Sequence, residues 1–425
     1  MRILFIAAAF LPDSIGGVEL HLHGIASRFR AQGHEVQVFC RGADATRPEF
    51  AIERYEVGGV PVTRVNYLFS DCDGFPRLYR NPAIRALFVA ELARFRPDVV
   101  HAHHLTCLST DLLDAAQESG ARVVMTLHDF WMGCPRGQRM TKDLELCEDV
   151  VIEKCSPCLA AMWSGWFKGG AHPHDLAQLA DYHEWIRGLL LRVDRLVTPS
   201  SAAREVFHRY GIPRARVTVV ENGLDAAPLA RVAHEPSATF RVGFIGSVLP
   251  TKGVHVLIDA VRRLDRPDVF LAIHGAETGW HEVVDYPARL RALAAPLQDR
   301  VRFHGRYESA DLPAILARTD VLVVPSLWYE AFCLTLREAW LAGVPVVASR
   351  LGAMAEGVED GVTGLLFEPG NADDLARVLA RVASDPALRE RLIRAPKRVR
   401  TVEENAADLM SVYTDGAAGG DGAGG

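Results

Sequence analysis

An α/β protein made of two domains with parallel sheets is predicted by three observations. The chain has 425 residues, more than one hydrophobic core usually supports. Its strand-like runs, such as Ile3 to Ala9 and Val321 to Val324, are continuously apolar, as in strands buried on both faces. Helical stretches separate such runs, and the clearest unit, Val321 to Ala348, reads strand, loop, helix, strand. In an open parallel sheet, ligands bind beyond the carboxyl ends of the strands, so the loops there are where functional residues are sought.

The first strand, Ile3 to Ala9, runs through Pro12-Asp13-Ser14 to Gly16-Gly17 and a helix from about Val18. A single preceding arginine and this continuation into a loop argue for a strand rather than a signal-peptide core. A glycine pair lets backbone approach an anion at a helix N-terminus, and it equally serves any tight turn. Gly33 to Cys40 predicts a helix end and a second strand, and Tyr55 to Val62 a hairpin through Gly58-Gly59. A helix over Pro82 to Phe95 and a strand from Asp98 follow, ending in His101-Ala102-His103-His104. Consecutive strand residues point to alternate faces and no carboxylate is fixed beside them in sequence, so they predict no metal site. His103 is expected only to line the acceptor side. Strand Arg122 to Leu127 leads into His128-Asp129, which puts an imidazole where reacting groups sit; it could also simply bond its own loop.

Residues 131–175 read as an insertion without helical periodicity, holding Cys134, Cys147, Cys155 and Cys158. Cys155-Ser156-Pro157-Cys158 has C-x2-C spacing, and four thiolates would suit a structural zinc, with an iron-sulfur centre, a redox pair or plain thiols as the alternatives. Such a zinc would fold the insertion and take no part in catalysis, because four thiolates leave no open position. Trp163, Trp166, Phe167 and Lys168 suit packing beneath the insertion, or else a lipid interface. Helix Leu176 to Leu191 and strands Asp194 to Thr198 and Val217 to Val220 complete the first domain, residues 1–225, and 226–239 is expected to be a linker.

The second domain, 240–400, opens with strand Arg241 to Ile245 and the loop Gly246 to Gly253, where Lys252 stands just before a helix. Strands over Val269 to His274 and Val301 to His304 precede the stretch PSLWYEAFCLTLREAWLAGVPVVAS, Pro325 to Ser349. It sets Glu330 and Glu338 eight residues apart across a strand-to-helix junction. Thr335-Leu336-Arg337-Glu338 fits a capping box, whereas Glu330 caps nothing. A strand at Gly364 to Phe367, a helix at Ala372 to Val382, a last helix over 401–414 and a disordered tail at 415–425 are expected.

The stretch from Pro325 resembles the E-x7-E signature of retaining GT-B glycosyltransferases, above all family 4, also called glycosyltransferase group 1. "TLHD" at His128, "NGLD" at Asn222 and the loop ending in Lys252-Gly253 are similar to further segments of that family, from Met1 to Tyr413. The resemblance implies two Rossmann-like domains facing a central cleft, with the last helix returning to the first domain. It implies that Glu330 contacts the transferred sugar, that the amides of Phe332, Cys333 and Leu334 approach sugar and diphosphate, and that Glu338 binds the ribose. Lys252 would neutralise the diphosphate, Gly16 and Gly17 would face it, and His128 would lie by sugar and diphosphate. The backbone at Arg306 would meet the nucleobase. The chain departs from the pattern at Ser247, where an arginine is usual, and at Ala331 and Cys333, where glycine is frequent.

The implied activity is metal-independent transfer of a hexosyl group from a UDP-, GDP- or ADP-sugar to a saccharide, lipid-linked or small-molecule hydroxyl. An epimerase or phosphorylase, or a non-catalytic sugar-nucleotide binder, would share the fold. A dinucleotide oxidoreductase is disfavoured, since no G-x-G-x-x-G follows the first strand. The net charge of -6 without a long basic run gives no nucleic-acid footprint. No run reaches the length of a membrane span, so a cytoplasmic protein is expected, with peripheral membrane contact compatible with a lipid-linked acceptor. Cys40, Cys72, Cys107 and Cys333 read as buried small hydrophobes.

Overall fold

The computed structural model describes residues 1–415 apart from Arg231, Thr278 and Glu282. The expected disordered tail therefore lies, from Gly416 onward, outside the described residues. The chain divides into two compact units: residues 1–137, 148–223 and 400 onward, and residues 138–147 with 224–399. The expected insertion at 131–175 is thus shared between the units.

The first unit holds β1 (Arg2–Ala7), β2 (Glu35–Gly42), β3 (Ile52–Val57), β4 (Val60–Asn66), β5 (Val99–Ala102), β6 (Arg122–Thr126), β7 (Arg195–Thr198) and β8 (Val217–Val219). They form one sheet in the order β3-β4-β2-β1-β5-β6-β7-β8. All pairs are parallel except β3 with β4. That exception is the hairpin at Gly58-Gly59, where both residues hold the positive φ that its tight turn needs, 54° and 82°. Central strands are Val- and Ile-rich because helices cover both faces; Ile3, Leu4, Phe5 and Ile6 are all fully buried.

The last helix, Val402–Thr414, starts from a capping box made by Thr401 and Glu404. It lays Ala406, Leu409, Val412 and Tyr413 into the core formed by Ile3, Phe5, Leu22 and Val38. Gly223 lets this return pass closely, since a β-carbon there would come within 2.3 Å of the Thr401 carbonyl oxygen.

The second unit holds β9 (Phe240–Ile245), β10 (Val269–His274), β11 (Val301–Gly305), β12 (Val321–Val324), β13 (Val346–Ser349) and β14 (Leu365–Phe367). The order is β11-β10-β9-β12-β13-β14, with every pair parallel. The expected linker, 226–239, is anchored on the second unit. Leu229 is buried with Leu312, Leu316 and Leu336, and His234 and Glu235 bond the backbone of Ala342 and Ala317. Among the described residues, no helix is long and apolar enough to cross a membrane.

Candidate functional site

Each sheet has one place where the strand order reverses, between β1 and β5 in the first unit and between β9 and β12 in the second. Loops that leave adjacent strands in opposite winding directions open a crevice there, the usual ligand position in such sheets. Gly16, His103, Ser247, Lys252 and Glu330 fall on these loops, while His128 follows β6, Arg306 follows β11 and Glu338 lies in the helix Leu334–Leu341.

In the second unit, the β9 loop carries Lys252 at the end of a short 3-10 turn, and the β12 loop carries Glu330. The two loops are knitted together by the Leu327 amide, which donates to Thr251 O at 2.8 Å. They can approach because Gly253 has no side chain: a β-carbon on it would fall 1.9 Å from Pro325 O. Lys252 Nζ (2.7 Å), Ser326 Oγ (2.7 Å) and Trp328 Nε1 (3.0 Å) all donate to Glu330 Oε1. Oε2 takes none of the three and is left for another donor. Burial works against the Lys252 charge, but the neighbouring Glu330 carboxylate outweighs it and pushes the lysine pKa up. The lysine also lies 5.3 Å from the centre of the Trp328 ring.

After Glu330 the chain passes through Cys333, at φ 63° and ψ 78°, into the helix Leu334–Leu341. The left-handed backbone that glycine would adopt freely is therefore kept with a side chain in place. Arg337 helps hold it, donating to the carbonyls of Phe332 and Cys333 with its guanidinium 3.7 Å from the Phe332 ring centre. The capping box expected at Thr335 is not formed. The N-cap is Cys333, two residues earlier, and no side chain caps the helix. Glu338 consequently lies in the second turn, too far along to reach back to the first amides. Burial alone raises its pKa to about 7. The Tyr307 hydroxyl is pushed up to about 12, by burial first and by the charge of Glu338 second. Of the other expected donor contacts, Ser247 is exposed in the β9 loop, and Arg306 is exposed beyond β11 with only a loose 4.0 Å approach to Glu308.

In the first unit, Gly16 is the N-cap of the helix Gly17–Ala31. No side chain caps this helix end, and the Glu19 carboxylate stands beside it: a β-carbon on Gly16 would fall 2.6 Å from Glu19 Oε2. Ser14 Oγ donates to the other oxygen of that carboxylate at 3.0 Å. Around the ends of β5 and β6 the histidines gather. His101 is structural, bonded to Tyr413 Oη (2.6 Å) and Thr126 Oγ1 (2.8 Å). His103 Nδ1 and His128 Nε2 are 2.8 Å apart, and the His21 ring stands edge-on to His128 at 5.4 Å.

Burial lowers the pKa of His21 to about 4 and of His101 to about 3, and holds His103 and His128 well below the ordinary histidine value. His128 is therefore neutral at neutral pH, a hydrogen-bonding group rather than a cation. His104 goes the other way. Burial opposes its charge, but Asp129 at 2.8 Å, with Glu19 behind, raises its pKa. The carboxylate that sequence spacing did not place beside these histidines thus comes from the next strand's loop.

Cys155 and Cys158 lie one turn apart within a helix, Ile152–Met162, although no helical periodicity was expected there. Pro157 inside the segment hides that helix from the sequence. A buried carboxylate secures it: Asp175 Oδ2 accepts from Ser156 Oγ and from the Lys168 and Gly169 amides. Phe167 and Trp163 pack against buried Phe75, with ring centres at 5.0 and 5.8 Å.

Sequence reasoning missed Ser326, Trp328, Arg337, Tyr307, His21 and the His104–Asp129 pair. Two signals were available: the hydroxyl and indole N–H four and two residues before Glu330, and an arginine inside a largely apolar helix.

The profile of the family described as Glycosyltransferase Family 4 matches residues 15–227, and that of Glycosyl transferases group 1 matches residues 230–399. The chain belongs to this family and is a glycosyltransferase of GT-B fold. It is 30% identical to a glycogen synthase of Mycobacterium tuberculosis over 413 residues, 94% of this chain and 90% of that protein. It is 26% identical to a D-inositol 3-phosphate glycosyltransferase of Salinispora tropica over 436 residues, 95% of this chain and 82% of that one. Among solved structures, Anabaena HepE in complex with UDP and glucose matches with a TM-score of 0.69 at 21% identity, covering 98% of this chain and all of that one. The apo structure of OtsA matches with a TM-score of 0.71 at 14% identity, over 98% and 99% of the two chains.

Proposed function

We propose that the protein is a retaining glycosyltransferase that moves a hexosyl group from a nucleotide-sugar to a hydroxyl of a saccharide, lipid-linked saccharide or small-molecule acceptor. The observation that carries this reading is the Lys252–Glu330 pair at the strand-order reversal of the second sheet, which commits one carboxylate oxygen and leaves the other for a sugar hydroxyl. HepE has been crystallised with UDP-glucose and a plant starch synthase with ADP, which supports a nucleotide-sugar donor here.

In this reading Lys252 neutralises the diphosphate, joined by the amides of Phe332, Cys333 and Leu334 and by Gly16 and Gly17. Glu338 receives the ribose hydroxyls, and the backbone at Ser247 and Arg306 flanks the nucleotide. The acceptor hydroxyl attacks the anomeric carbon on the face from which the phosphate leaves, and the departing phosphate takes the proton. Glu330 orients the sugar without forming a bond to it, and neutral His128 bonds a sugar hydroxyl. Charge is met by lysine and amides, so no divalent metal is needed. Polysaccharide or glycoconjugate assembly in the cytoplasm, at the membrane surface when the acceptor is lipid-linked, is the setting this supports. Cys134, Cys147, Cys155 and Cys158 remain a structural zinc proposal, to be tested by zinc content after purification and by thiol titration with and without chelator.

The deciding experiment is turnover of a panel of UDP-, GDP- and ADP-sugars in EDTA, with product stereochemistry read by NMR, for the native protein, Glu330→Gln and Lys252→Met. One donor consumed with retained configuration, and lost in both variants while they still melt cooperatively, is expected. Turnover that ignores both substitutions would place the chemistry elsewhere.

A further inference from the structure

Three histidines of the first unit come from three separate elements: His21 from the helix Gly17–Ala31, His103 from the end of β5, and His128 from the end of β6. One ring nitrogen from each lies within 4.8 Å of the other two. A tetrahedral zinc site holds imidazole nitrogens about 3.4 Å apart, given metal–nitrogen distances of about 2.0 to 2.1 Å. The triad is therefore within a small side-chain adjustment of that span. Two of its nitrogens, His21 Nδ1 and His103 Nε2, are buried without a hydrogen-bond partner. A partnerless nitrogen at such depth is costly unless something fills the need. The third contact, His103 Nδ1 to His128 Nε2, is a hydrogen bond of 2.8 Å.

We propose that His21, His103 and His128 form a binding site for a divalent transition-metal ion, zinc foremost, and that its occupation inhibits the enzyme. The imidazoles are ligands that such ions prefer. Binding replaces the His103–His128 hydrogen bond: His103 keeps its proton on Nδ1 and offers the partnerless Nε2, and His128 offers Nε2. Three protein ligands leave a fourth position for water. The inhibition rests on the role proposed for His128, because a metal on its ring fixes that imidazole away from the sugar; the binding itself does not. Another group, His172, His174 and Asp175, also has ligand atoms close together. Its Asp175 is already engaged by Ser156 and two backbone amides, so it is the weaker candidate.

The test is cobalt titration of the full chain after EDTA treatment and desalting. A visible ligand-field band of one equivalent, separate from any thiolate charge-transfer band that cobalt on the cysteines gives, and displaced by zinc, is expected. It should be lost in His21→Leu and kept in the double variant His172→Ala, His174→Ala. Nitrogen-15 NMR of histidine-labelled native protein is the second measurement, independent of how any variant folds: zinc should shift the ring nitrogens of all three histidines together. No imidazole-type band, a band that survives His21→Leu, or histidine shifts confined to His172 and His174 would overturn the site. If the cobalt band behaves as expected but zinc leaves turnover unchanged, the inhibition and the role of His128 fall while the site stands.

Discussion

Cys333 holds a left-handed backbone that costs a residue with a side chain on the order of 1 kcal/mol. Replacing it with glycine removes that cost but also a buried side chain, and it loosens the unfolded chain. These contributions oppose one another, so Cys333→Gly should change stability by less than about 1 kcal/mol. Cys333→Val, branched at a positive φ, should lose about 2 kcal/mol or more. Urea midpoints at constant m-value will separate the two. Glu338 offers a second test at this scale. Its pKa is raised from 4.5 to about 7, so between those values the folded state binds more protons than the unfolded one. The stability it contributes is full below about pH 4.5 and is lost as pH rises toward 7, with a ceiling of about 3 kcal/mol. Glu338→Gln should flatten that slope. If ribose hydroxyls bond the ionised carboxylate, donor affinity should rise with pH through about 7 and binding should release a proton. Calorimetry in buffers of different ionisation enthalpy measures that proton directly.

The elements that place these residues depend on a few close approaches. Gly253→Ala would drive a β-carbon into the Pro325 carbonyl at a φ of 70°. The knitted pair of loops must then separate, and a loss of more than about 2 kcal/mol with near-complete loss of turnover is expected, read by thermal melting and by the donor assay. Loop and strand positions were legible in the sequence because both-face burial writes long apolar runs, as at Val321 to Val324, and because Gly58-Gly59 announces its hairpin. Glu330, Lys252 and His128 were legible because they sit just past such runs. What could not be read depends on neighbours brought together by the fold. The true helix start at Cys333 is hidden by a capping pattern two residues later that competes on equal local terms. Asp129 reaches His104 only because β5 and β6 pair, and Trp328 and Ser326 meet Glu330 only once the loop has closed.

At the scale of the whole molecule, the surroundings of the first unit's histidines and those of Glu338 should answer acid in opposite directions. In the first, His21 and His101 titrate in the folded state near 4 and 3 against an ordinary 6.5, and His103 and His128 are shifted the same way. The unfolded chain there binds more protons, so stability falls as pH drops below about 6.5, with His104 offsetting part of the loss. In the second unit, Glu338 gains over the same interval, while His255, His274 and His304, all lowered by burial, lose. Hydrogen exchange at pH 7 and pH 5, corrected for intrinsic rates, should show protection falling in peptides from β5 and β6 and rising in peptides around Leu334–Leu341. Parallel changes in both would contradict these assignments.

The return of the helix Val402–Thr414 to the first unit also bears on how the protein is made. Its four buried side chains are part of a core whose other members begin at Ile3, yet the ribosome releases them only after the entire second unit. At about 5 to 20 residues per second, the N-terminal sheet waits roughly ten seconds or more with part of its apolar surface uncovered. The half of the protein that is synthesised first is therefore the half that is finished last, and it is the one that most needs shielding during translation.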